Sequence, residues 1–586
     1  MRVVDAVAAW FEEAGIQRYF GYAGGAIWPL LDALVDKPDI EPIQAKIEPN
    51  AVHMADVHWR VTGEVAPVVV TKGPGLLNCV CGVATAMHDQ AALLVIAGGT
   101  TTHFMGKGGM QEIYYKGFED AVSIFRPITK GAWTVIRPDT VIDTLNQAYK
   151  LATSGRPGPV FVQLPLDIQT SRVSGEIEGP AHRTTASRVR ADRDTIKKAA
   201  DLLAAAERPL FLAGGGLMHA GGADALRDAA DRLSIPTATT LTAKGLLPED
   251  HPMSLGPVGR SGTQAAAEAT RAADLIFALG SRFSDNHTSN WRKGMIYDPE
   301  GTKFVQVDLD LGEISRNYPV EVAAEADARD FLVDLLEAAS PRERSGWIDQ
   351  IEAWKKDWRQ EVEEQIGVDT SPVTPARLVH EVGLAIRDKG RVLVDIGDII
   401  QYAEPYMEVV RPGAWHITPG MAEMGWASSG VLGAVAAERD VPAIALTGDG
   451  AFNMVSNSLA TAVEYDLPAI WVIVNNCELG IERKGAMRAF DRIHPWYEFR
   501  RRDTGELYNP DYTLLAQANG AEGERVEDPA DVAPALQRAL ASGRPYVLDV
   551  VVDPKPASYF TKGLDRAYPN DWASSYAAFG ALQNER

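Results

Sequence analysis

The chain alternates short apolar runs with longer amphipathic stretches. We interpret the apolar runs as buried strands, at residues 66–70, 92–97, 159–164, 209–212, 274–279, 303–307, 443–446, 469–474 and 546–552. Strands that alternate with helical stretches are typical of parallel sheets covered by helices on both faces. The pattern therefore predicts an α/β fold.

Two stretches without strand patterning divide the chain into three units. Residues 171–194 are polar and are interpreted as a linker, and residues 341–374 are charged and helix-rich. We therefore expect three consecutive doubly wound parallel-sheet domains and a tail, at residues 1–175, 190–340, 375–555 and 556–586. The tail is expected to be ordered, because aromatic residues are scarce in disordered segments. Its aromatic residues include Tyr559, Tyr568, Trp572 and Tyr576.

Composition limits the partners and the compartment. The 586 residues include 57 Lys and Arg against 79 Asp and Glu, so the formal net charge is −22. Such acidity argues against nucleic acid or an anionic membrane as partner, and it could also reflect a salty habitat. The chain opens on an amphipathic helix pattern at residues 3–14, without a basic segment ahead of a long apolar core. We therefore expect no signal peptide, no membrane span and a cytoplasmic location.

The chain contains three cysteines, which cannot form a disulfide framework and fit a reducing compartment. Cys79 and Cys81 lie in an apolar, helix-like run, and Cys477 is far from them in sequence. For Cys79 and Cys81 we expect small buried side chains rather than metal ligands.

The last unit delivers polar residues to one edge of its predicted sheet. The run 443–446 leads into Gly448-Asp449-Gly450, and the run 469–474 leads into Asn475-Asn476. Because the carboxyl ends of parallel strands lie at the same edge, a carboxylate and an amide oxygen converge there. Hard oxygen ligands suit Mg²⁺ carrying a diphosphate, and the glycines let backbone N–H groups approach phosphates closely. The structural alternative is a plain turn after a buried strand.

The spacing resembles the GDG…NN signature of thiamine-diphosphate (ThDP) enzymes. The resemblance implies that the metal ligands are the Asp449 carboxylate, the Asn476 side chain and the backbone carbonyl of Glu478. It also implies that the cofactor lies against further residues of this segment, namely Gly448, Gly450, Ala451 and Ile481.

A second resemblance lies near the N-terminus. The segments that carry Gly24-Gly25 and Lys46-Ile47-Glu48-Pro49-Asn50-Ala51-Val52-His53-Met54-Ala55-Asp56 resemble the opening of acetolactate synthases and glyoxylate carboligases. The resemblance implies that Glu48 hydrogen-bonds the pyrimidine N1′ of ThDP and so assists proton removal from the thiazolium C2. For a lone glutamate at a helix start, the alternative is a partner of the helix dipole.

A third motif is Pro419-Gly420-Met421-Ala422-Glu423-Met424-Gly425-Trp426. By the same resemblance, Met424 holds the cofactor in its bent conformation and the Ala422 carbonyl receives the N4′ amino group. The bend brings N4′ close to C2, which gives the proton transfer its effective-concentration advantage. An isolated methionine would be interpreted as core filling.

The middle unit resembles the FAD-binding segments of the same family. The segments are Gly214-Gly215-Gly216, Thr242-Ala243-Lys244-Gly245 and Gly280-Ser281-Arg282-Phe283-Ser284-Asp285. FAD is therefore a candidate cofactor beside ThDP and Mg²⁺. The alternative is a degenerate or empty nucleotide site, since glycine-rich turns also serve plain strand-to-helix connections.

Departures from the family pattern concern the substrate. Where acetolactate synthases have an arginine for the acceptor carboxylate, this chain has Asn286, and residues 480–485 lack the tryptophan that selects 2-oxobutyrate. Glyoxylate carboligases fit residues 475–491 better, but they replace the catalytic glutamate that this chain retains as Glu48. Glu482 corresponds to a glutamate of pyruvate decarboxylases and sulfoacetaldehyde acetyltransferases.

Several loop residues are candidates for substrate contact. Gln111 corresponds to a glutamine of acetolactate synthases, so it is a candidate for hydrogen-bonding the reacting species, with Met110 beside it. His103, Lys107 and Lys484 could meet a substrate anion, or each could be a solvated loop residue. The candidate catalytic residues are therefore Glu48, Gln111 and Glu482.

The resemblance covers nearly the whole chain and implies a carboligase of the acetolactate synthase type. It would decarboxylate a small 2-oxo acid and transfer the resulting acyl carbanion to an aldehyde or 2-oxo acid acceptor. The alternatives are a non-ligating decarboxylase or oxidase, an enzyme like glyoxylate carboligase or sulfoacetaldehyde acetyltransferase, and a noncatalytic ThDP-binding relative. The family also implies a homodimer or homotetramer, because its sites combine residues of two subunits.

Overall fold

The chain folds into three successive parallel sheets, each of six strands and flanked by helices. This architecture is that of a computed structural model, which describes residues 1–117, 119–175, 177–180, 188–291, 293–556 and 558–559. The expected α/β fold with three doubly wound sheets is confirmed.

The first sheet has the strand order β2-β1-β3-β4-β6-β5. Its strands are β1 (Arg18–Gly21), β2 (Glu41–Gln44), β3 (Val68–Val70), β4 (Leu94–Gly99), β5 (Gly131–Thr134) and β6 (Val160–Pro165). Its helices are α1 (Val3–Glu13), α2 (Trp28–Val35), α3 (Glu48–Thr62), α4 (Pro74–Asn78), α5 (Val80–Asp89), α6 (Asp120–Phe125), α7 (Val141–Thr153) and α8 (Leu166–Thr170).

The second sheet has the order β12-β11-β10-β7-β8-β9. Its strands are β7 (Pro209–Ala213), β8 (Thr237–Thr239), β9 (Ser254–Pro257), β10 (Leu275–Leu279), β11 (Lys303–Asp308) and β12 (Val322–Glu325). Its helices are α9 (Arg193–Ala205), α10 (Gly215–His219), α11 (Ala223–Leu233), α12 (Gln264–Ala272), α13 (Asp285–Thr288) and α14 (Ala328–Ala338), and the long α15 (Ser345–Ile366) leads onward.

The third sheet has the order β14-β13-β15-β16-β18-β17. Its strands are β13 (Arg391–Val394), β14 (Trp415–His416), β15 (Ala443–Gly448), β16 (Ile470–Asn475), β17 (Glu522–Val526) and β18 (Tyr546–Val551). Its helices are α16 (Pro375–Ala385), α17 (Ile400–Tyr406), α18 (Trp426–Ala437), α19 (Asp449–Val455), α20 (Ser458–Glu464), α21 (Gly480–Phe490), α22 (Tyr512–Ala518) and α23 (Pro529–Ser542).

The nine strands expected from apolar runs all form, with each end within two residues of the expected position. β4, β6 and β16 are buried along their whole length, as strands covered by helices on both faces should be. The strands that the apolar pattern did not indicate are short, and β14 has only two residues.

Cys79 is buried, as expected, but Cys81 is exposed, so the expectation of burial was wrong for Cys81. Residues i and i+2 of a helix point in directions about 200° apart, so Cys79 and Cys81 cannot both face the core. All three cysteines are free thiols.

The domain limits remain predictions. Tyr568, Trp572 and Tyr576 of the tail lie outside the described residues, whereas Tyr559 packs against Trp358 and Tyr406. Within the described part of the chain, no helix is both long and apolar enough to cross a membrane.

The first and third domains meet through α3 and α18. Trp426 at the start of α18 donates its indole N–H to Asp56 at 2.9 Å, and His53, one turn earlier on α3, lies 2.7 Å from the Ser429 hydroxyl. The backbones come so close that a Cβ on Gly433 would lie 2.0 Å from the Met54 carbonyl oxygen. Because rising numbers on α18 meet falling numbers on α3, the two helices run antiparallel.

We predict that Gly433→Ala lowers the free energy of unfolding by about 3 kcal/mol, at the upper end of overpacking costs, because the added methyl group separates α3 from α18. The measurement is chemical denaturation. The matched control is Gly346→Ala in α15, where a Cβ meets no atom within 4 Å and a small gain is expected. Equal stability of the two variants would contradict the close contact.

Candidate active site

The carboxyl edge of the third sheet brings the expected metal residues together. β15 ends at Gly448 and α19 begins at Asp449, while the neighbouring β16 ends at Asn475. Gly448 pairs with Val474 in the register of the two strands. Asp449 and Asn476 therefore follow adjacent strand ends.

The Asp449 carboxylate is 1% exposed and is surrounded by N–H donors. One oxygen accepts from the Cys477 backbone N–H at 2.7 Å and from the Asn509 amide at 2.6 Å, and the other accepts from the Gly450 N–H at 2.7 Å. Burial raises the pKa of Asp449 to about 6, against the lowering effect of these hydrogen bonds. No lysine or arginine pairs with it in the part of the chain that the structure describes. Such a buried, unpaired carboxylate favours the binding of a cation.

The turn after β16 has a strained backbone. Cys477 has φ = 56°, in the left-handed region, where a residue with a side chain costs roughly 1–2 kcal/mol. The turn folds back so that the Asn476 side-chain oxygen accepts from the Glu478 N–H at 3.2 Å. Strain of this kind occurs preferentially at functional sites.

The Glu478 carboxyl group is buried beside this turn. Burial raises its pKa to about 7, although Arg483 lies 3.2 Å away. Its Oε1 has no hydrogen-bond partner among the described residues.

Open space beside Asp449 has the form of a cradle. A Cβ on Gly448 would meet no atom within 4 Å, and the same holds for Gly397 after β13. Gly450, by contrast, is closely covered, since its Cβ would lie 2.8 Å from the Leu479 side chain and 3.5 Å from Met424. The Met424 side chain therefore reaches the first turn of α19, at Gly450.

Of the other residues predicted for this edge, Ala422, Ile481 and Glu482 are exposed and Ala451 is buried. Ala422 is exposed and has φ = 55°, so it shares the left-handed strain of Cys477. Ala451 is buried in α19, whereas Ile481 and Glu482 are exposed at the start of α21.

Two residues that the sequence did not single out hold this edge in place. Asn509 donates to Asp449 and, at 2.7 Å, to the Asn475 side-chain oxygen, although it is distant from both in sequence. Asp395 follows β13, is fully buried, and accepts from the Gly425 N–H at 2.8 Å and the Ser428 hydroxyl at 2.9 Å. β13, which Asp395 follows, was not among the strands indicated by apolar runs, so no local pattern marked Asp395.

At the first sheet, the other candidate residues gather around segment 71–78, which comprises the turn after β3 and the short helix α4. Glu48 begins α3, is 8% exposed, and accepts from the Asn78 amide at 2.8 Å. A Cβ on Gly24 would lie 2.6 Å from the Thr71 side chain, and one on Gly73 would lie 2.8 Å from the Cβ of Gln111. Gly25 faces open space.

Within one chain, the two groups of residues lie apart. Glu48 begins α3, and Asp56 lies eight residues, or about 12 Å, further along that helix. Asp56 meets Trp426, which follows Met424 closely, and α3 and α18 are antiparallel. Glu48 therefore lies toward the end of the helix pair that is opposite to Met424.

The three candidates for meeting a substrate anion differ in their surroundings. His103 and Lys107 are exposed on one loop, where the Lys107 nitrogen lies 5.6 Å from the centre of the Phe104 ring. Lys484 donates to Asp398 at 2.6 Å and to the Tyr402 hydroxyl at 3.1 Å, so its charge is already paired.

The middle domain contributes a cavity of about 560 Å³. It lies at the carboxyl ends of β7, β10 and β11, where its lining includes Gly215, Ser281 and Asp308. Gly214 is required for packing rather than for a ligand, because its Cβ would lie 2.2 Å from the Gly280 carbonyl oxygen. Lys244 does not line the cavity and pairs with Glu249 at 2.6 Å.

Comparison with known proteins agrees with these three sheets. Residues 1–121 match the N-terminal TPP binding domain of thiamine pyrophosphate enzymes, residues 196–335 the central domain, and residues 395–550 the C-terminal TPP binding domain. A "probable acetolactate synthase large subunit" of Methanocaldococcus jannaschii is 33% identical, over 95% of this chain and 93% of its own length. The chain belongs to the ThDP-dependent enzyme family.

Other members of the family are similar over the same extent. Acetolactate synthase isozyme 3 large subunit of Escherichia coli K12 is 31% identical, over 95% of this chain and 94% of its own. Glyoxylate carboligase of Escherichia coli O157:H7 is 31% identical, over 94% and 93%. The resemblance of the sequence to this group is therefore confirmed.

Proposed function

We propose that the protein is a ThDP- and Mg²⁺-dependent carboligase that decarboxylates a small 2-oxo acid and joins the remaining acyl group to an aldehyde or 2-oxo acid. The observation that carries the proposal is the buried Asp449 carboxylate with the open cradle of Gly448 beside it. Membership of the ThDP-dependent family supports chemistry that uses ThDP. Relatives named acetolactate synthase and glyoxylate carboligase support ligation.

The donor set fits the cofactor. Asp449, the Asn476 side chain and the Glu478 carbonyl would hold Mg²⁺, since hard oxygen ligands suit this ion. Gly448 and Gly450, with Ala451 and Ile481, would border the diphosphate and thiazolium. A bound ThDP supplies an electron sink for the electrons left by carbon dioxide.

Glu48, Met424 and Ala422 would prepare the cofactor for reaction. Glu48 would hold a proton at the pyrimidine N1′, and its position at a helix start with one amide partner, Asn78, leaves a carboxylate oxygen for that bond. Met424 would enforce the bent conformation. Gly24 and Gly25 would border the pyrimidine, and Gln111 and Glu482 would face the substrate and manage its protons.

We further propose that one complete site uses two chains, as a homodimer or homotetramer. The separation of Glu48 from Met424 along the antiparallel helices supports this arrangement. Large exposed apolar side chains at both edges support it too, since such patches mark protein interfaces. They are Trp28, Phe104, Met110 and Tyr115 at the first sheet, and Met421, Met454, Ile481 and Trp496 at the third.

The catalytic alternatives differ from this proposal in the acceptor of the acyl group. They are a simple decarboxylase or oxidase, a glyoxylate carboligase-like enzyme and a sulfoacetaldehyde acetyltransferase-like enzyme. Glu482 favours the decarboxylase alternative, because a carboxyl group there could protonate the product. A noncatalytic relative is disfavoured by the presence of Glu48, Asp449 and Asn476 together. The net charge of −22 supports a cytoplasmic enzyme without a nucleic acid or membrane partner.

We propose FAD as a second ligand, in the cavity of the middle domain. Its volume suits a dinucleotide, and its five lining arginines suit an anionic one; they are Arg188, Arg282 and Arg316, with Arg60 and Arg156 from the first domain. The argument rests on the cavity, because Gly214 and Gly280 are explained by backbone packing alone.

We predict that Asp449→Ala abolishes tight binding of both ThDP and Mg²⁺, because the diphosphate reaches this edge only through the metal. The measurement is titration calorimetry with ThDP, with and without Mg²⁺. Glu482→Ala, whose side chain is exposed on the same edge, is the control and should bind the pair normally. Unchanged metal-dependent affinity of Asp449→Ala would refute the metal assignment.

We predict that Glu48→Gln slows turnover by about 10²-fold or more, the scale of general acid–base catalysis, with cofactor binding largely retained. Mixed under conditions of subunit exchange with the inactive Asp449→Ala chain, it should regain activity, since some sites then combine intact Glu48 with intact Asp449. No recovery in mixed dimers confirmed by mass spectrometry would mean that each chain builds its own site.

We predict that the purified protein binds FAD and shows flavin absorbance. Gly215→Val should reduce flavin retention, because its side chain enters the cavity, while ThDP binding stays unchanged. Absence of bound flavin after incubation with FAD would favour a degenerate nucleotide site.

A further inference from the structure

Lys72 lies at the centre of the candidate residues of the first sheet. It lies in the turn between β3 and α4, within segment 71–78, which touches the other candidates. The next residue, Gly73, lies against Gln111, and a Cβ on Gly75 would lie 3.5 Å from a carboxylate oxygen of Glu48. A ligand that reaches Glu48 and Gln111 therefore comes close to Lys72.

Among the described residues, the Lys72 ammonium group has no counterion. Its hydrogen bond goes to the neutral Thr100 hydroxyl at 3.3 Å, and within the described residues no carboxylate lies within 4 Å of it. Lys46 and Lys484, by comparison, pair with Glu464 and Asp398. Lys72 is half-buried, where an unpaired charge is poorly solvated.

Glu112, the acidic residue that borders the same small cavity as Lys72, already has hydrogen-bond partners. Lys72, Thr100, Glu112 and Gln163 border one small cavity. The Glu112 carboxylate accepts from the backbone N–H groups of Gly106 and Gly109 at 2.8 and 3.0 Å. It is thus held by its own loop, and the Lys72 charge remains available to a ligand.

The charge of Lys72 suits an acceptor better than a donor. Loss of carbon dioxide moves electrons out of the donor carboxylate, so a cation paired with that carboxylate would stabilise the ground state and slow the reaction. An acceptor 2-oxo acid keeps its carboxylate in the product. Its charge can therefore stay paired throughout ligation.

We propose that Lys72 binds the carboxylate of a 2-oxo acid acceptor and so determines the choice between charged and uncharged acceptors. The inference rests on the proposed carboligase function. It assigns a specificity role to a residue that no sequence motif indicated.

The test compares acceptors in the holoenzyme, with pyruvate as donor and either 2-oxobutyrate or the uncharged acetaldehyde as acceptor. Lys72→Met should raise the KM for 2-oxobutyrate about 10- to 100-fold, the size of one lost charge-assisted hydrogen bond. The KM for acetaldehyde and the affinity for ThDP should stay unchanged. Lys72→Arg should retain most of the preference, and Lys150→Met, whose side chain is exposed on α7 of the same domain, should behave as wild type.

Three results would overturn the proposal. They are an equal KM increase for both acceptors, no increase for either, and formation of acyl phosphate and hydrogen peroxide from pyruvate, inorganic phosphate and dioxygen that Lys72→Met abolishes. The last result would make phosphate the anion at this site.

A second measurement separates the proposal from the proposed function. If the wild-type enzyme releases no carbon dioxide from any 2-oxo acid, the carboligase function fails. Labelling of the ThDP- and Mg²⁺-loaded protein with acetic anhydride then tests Lys72 directly. Protection of Lys72 by 2-oxobutyrate, with Lys150 unprotected, supports carboxylate binding, and equal labelling of Lys72 with and without 2-oxobutyrate overturns it.

Discussion

The packing of α3 against α18 is the constraint on which the arrangement of the molecule depends. Gly433 lies so close to the Met54 carbonyl that no side chain fits between them. This contact therefore sets the distance between the two antiparallel helices. Candidate site residues lie at the start of both helices, since Glu48 begins α3 and Met424 lies two residues before α18. The antiparallel contact therefore fixes where the two halves of the candidate site point, and it directs them to different ends of the same helix pair.

At the third sheet, the polar residues are held by a continuous set of hydrogen bonds. Asn509 joins Asp449 to Asn475, and Asn475 donates to Asp549 at 2.8 Å. Asp395 fixes the turn before α18 in the same way. Because both oxygens of the Asp449 carboxylate accept from defined donors, its orientation is fixed, and such preorganisation lowers the cost of binding a ligand.

At the first sheet, close contacts hold the candidate residues together with the hydrogen bond from Asn78 to Glu48. Within segment 71–78, Gly73 lies against Gln111 and Gly75 lies near Glu48, while Gly24 lies against Thr71. The same segment carries Lys72, whose charge has no counterion among the described residues. The two edges thus differ in charge, with a buried carboxylate at one and a positive charge at the other.

The sequence by itself determined the class of fold and the convergence of Asp449 with Asn476. Both follow from chain direction, because buried parallel strands are continuous apolar runs and their carboxyl ends share one edge. It did not indicate β14, since two residues show no periodicity. Only the tertiary structure decided that Lys484 is paired with Asp398, that Cys81 is exposed, and that Asn509 reaches Asp449. These outcomes depend on contacts between residues far apart in the chain or on the orientation of one helix, which local spacing does not encode.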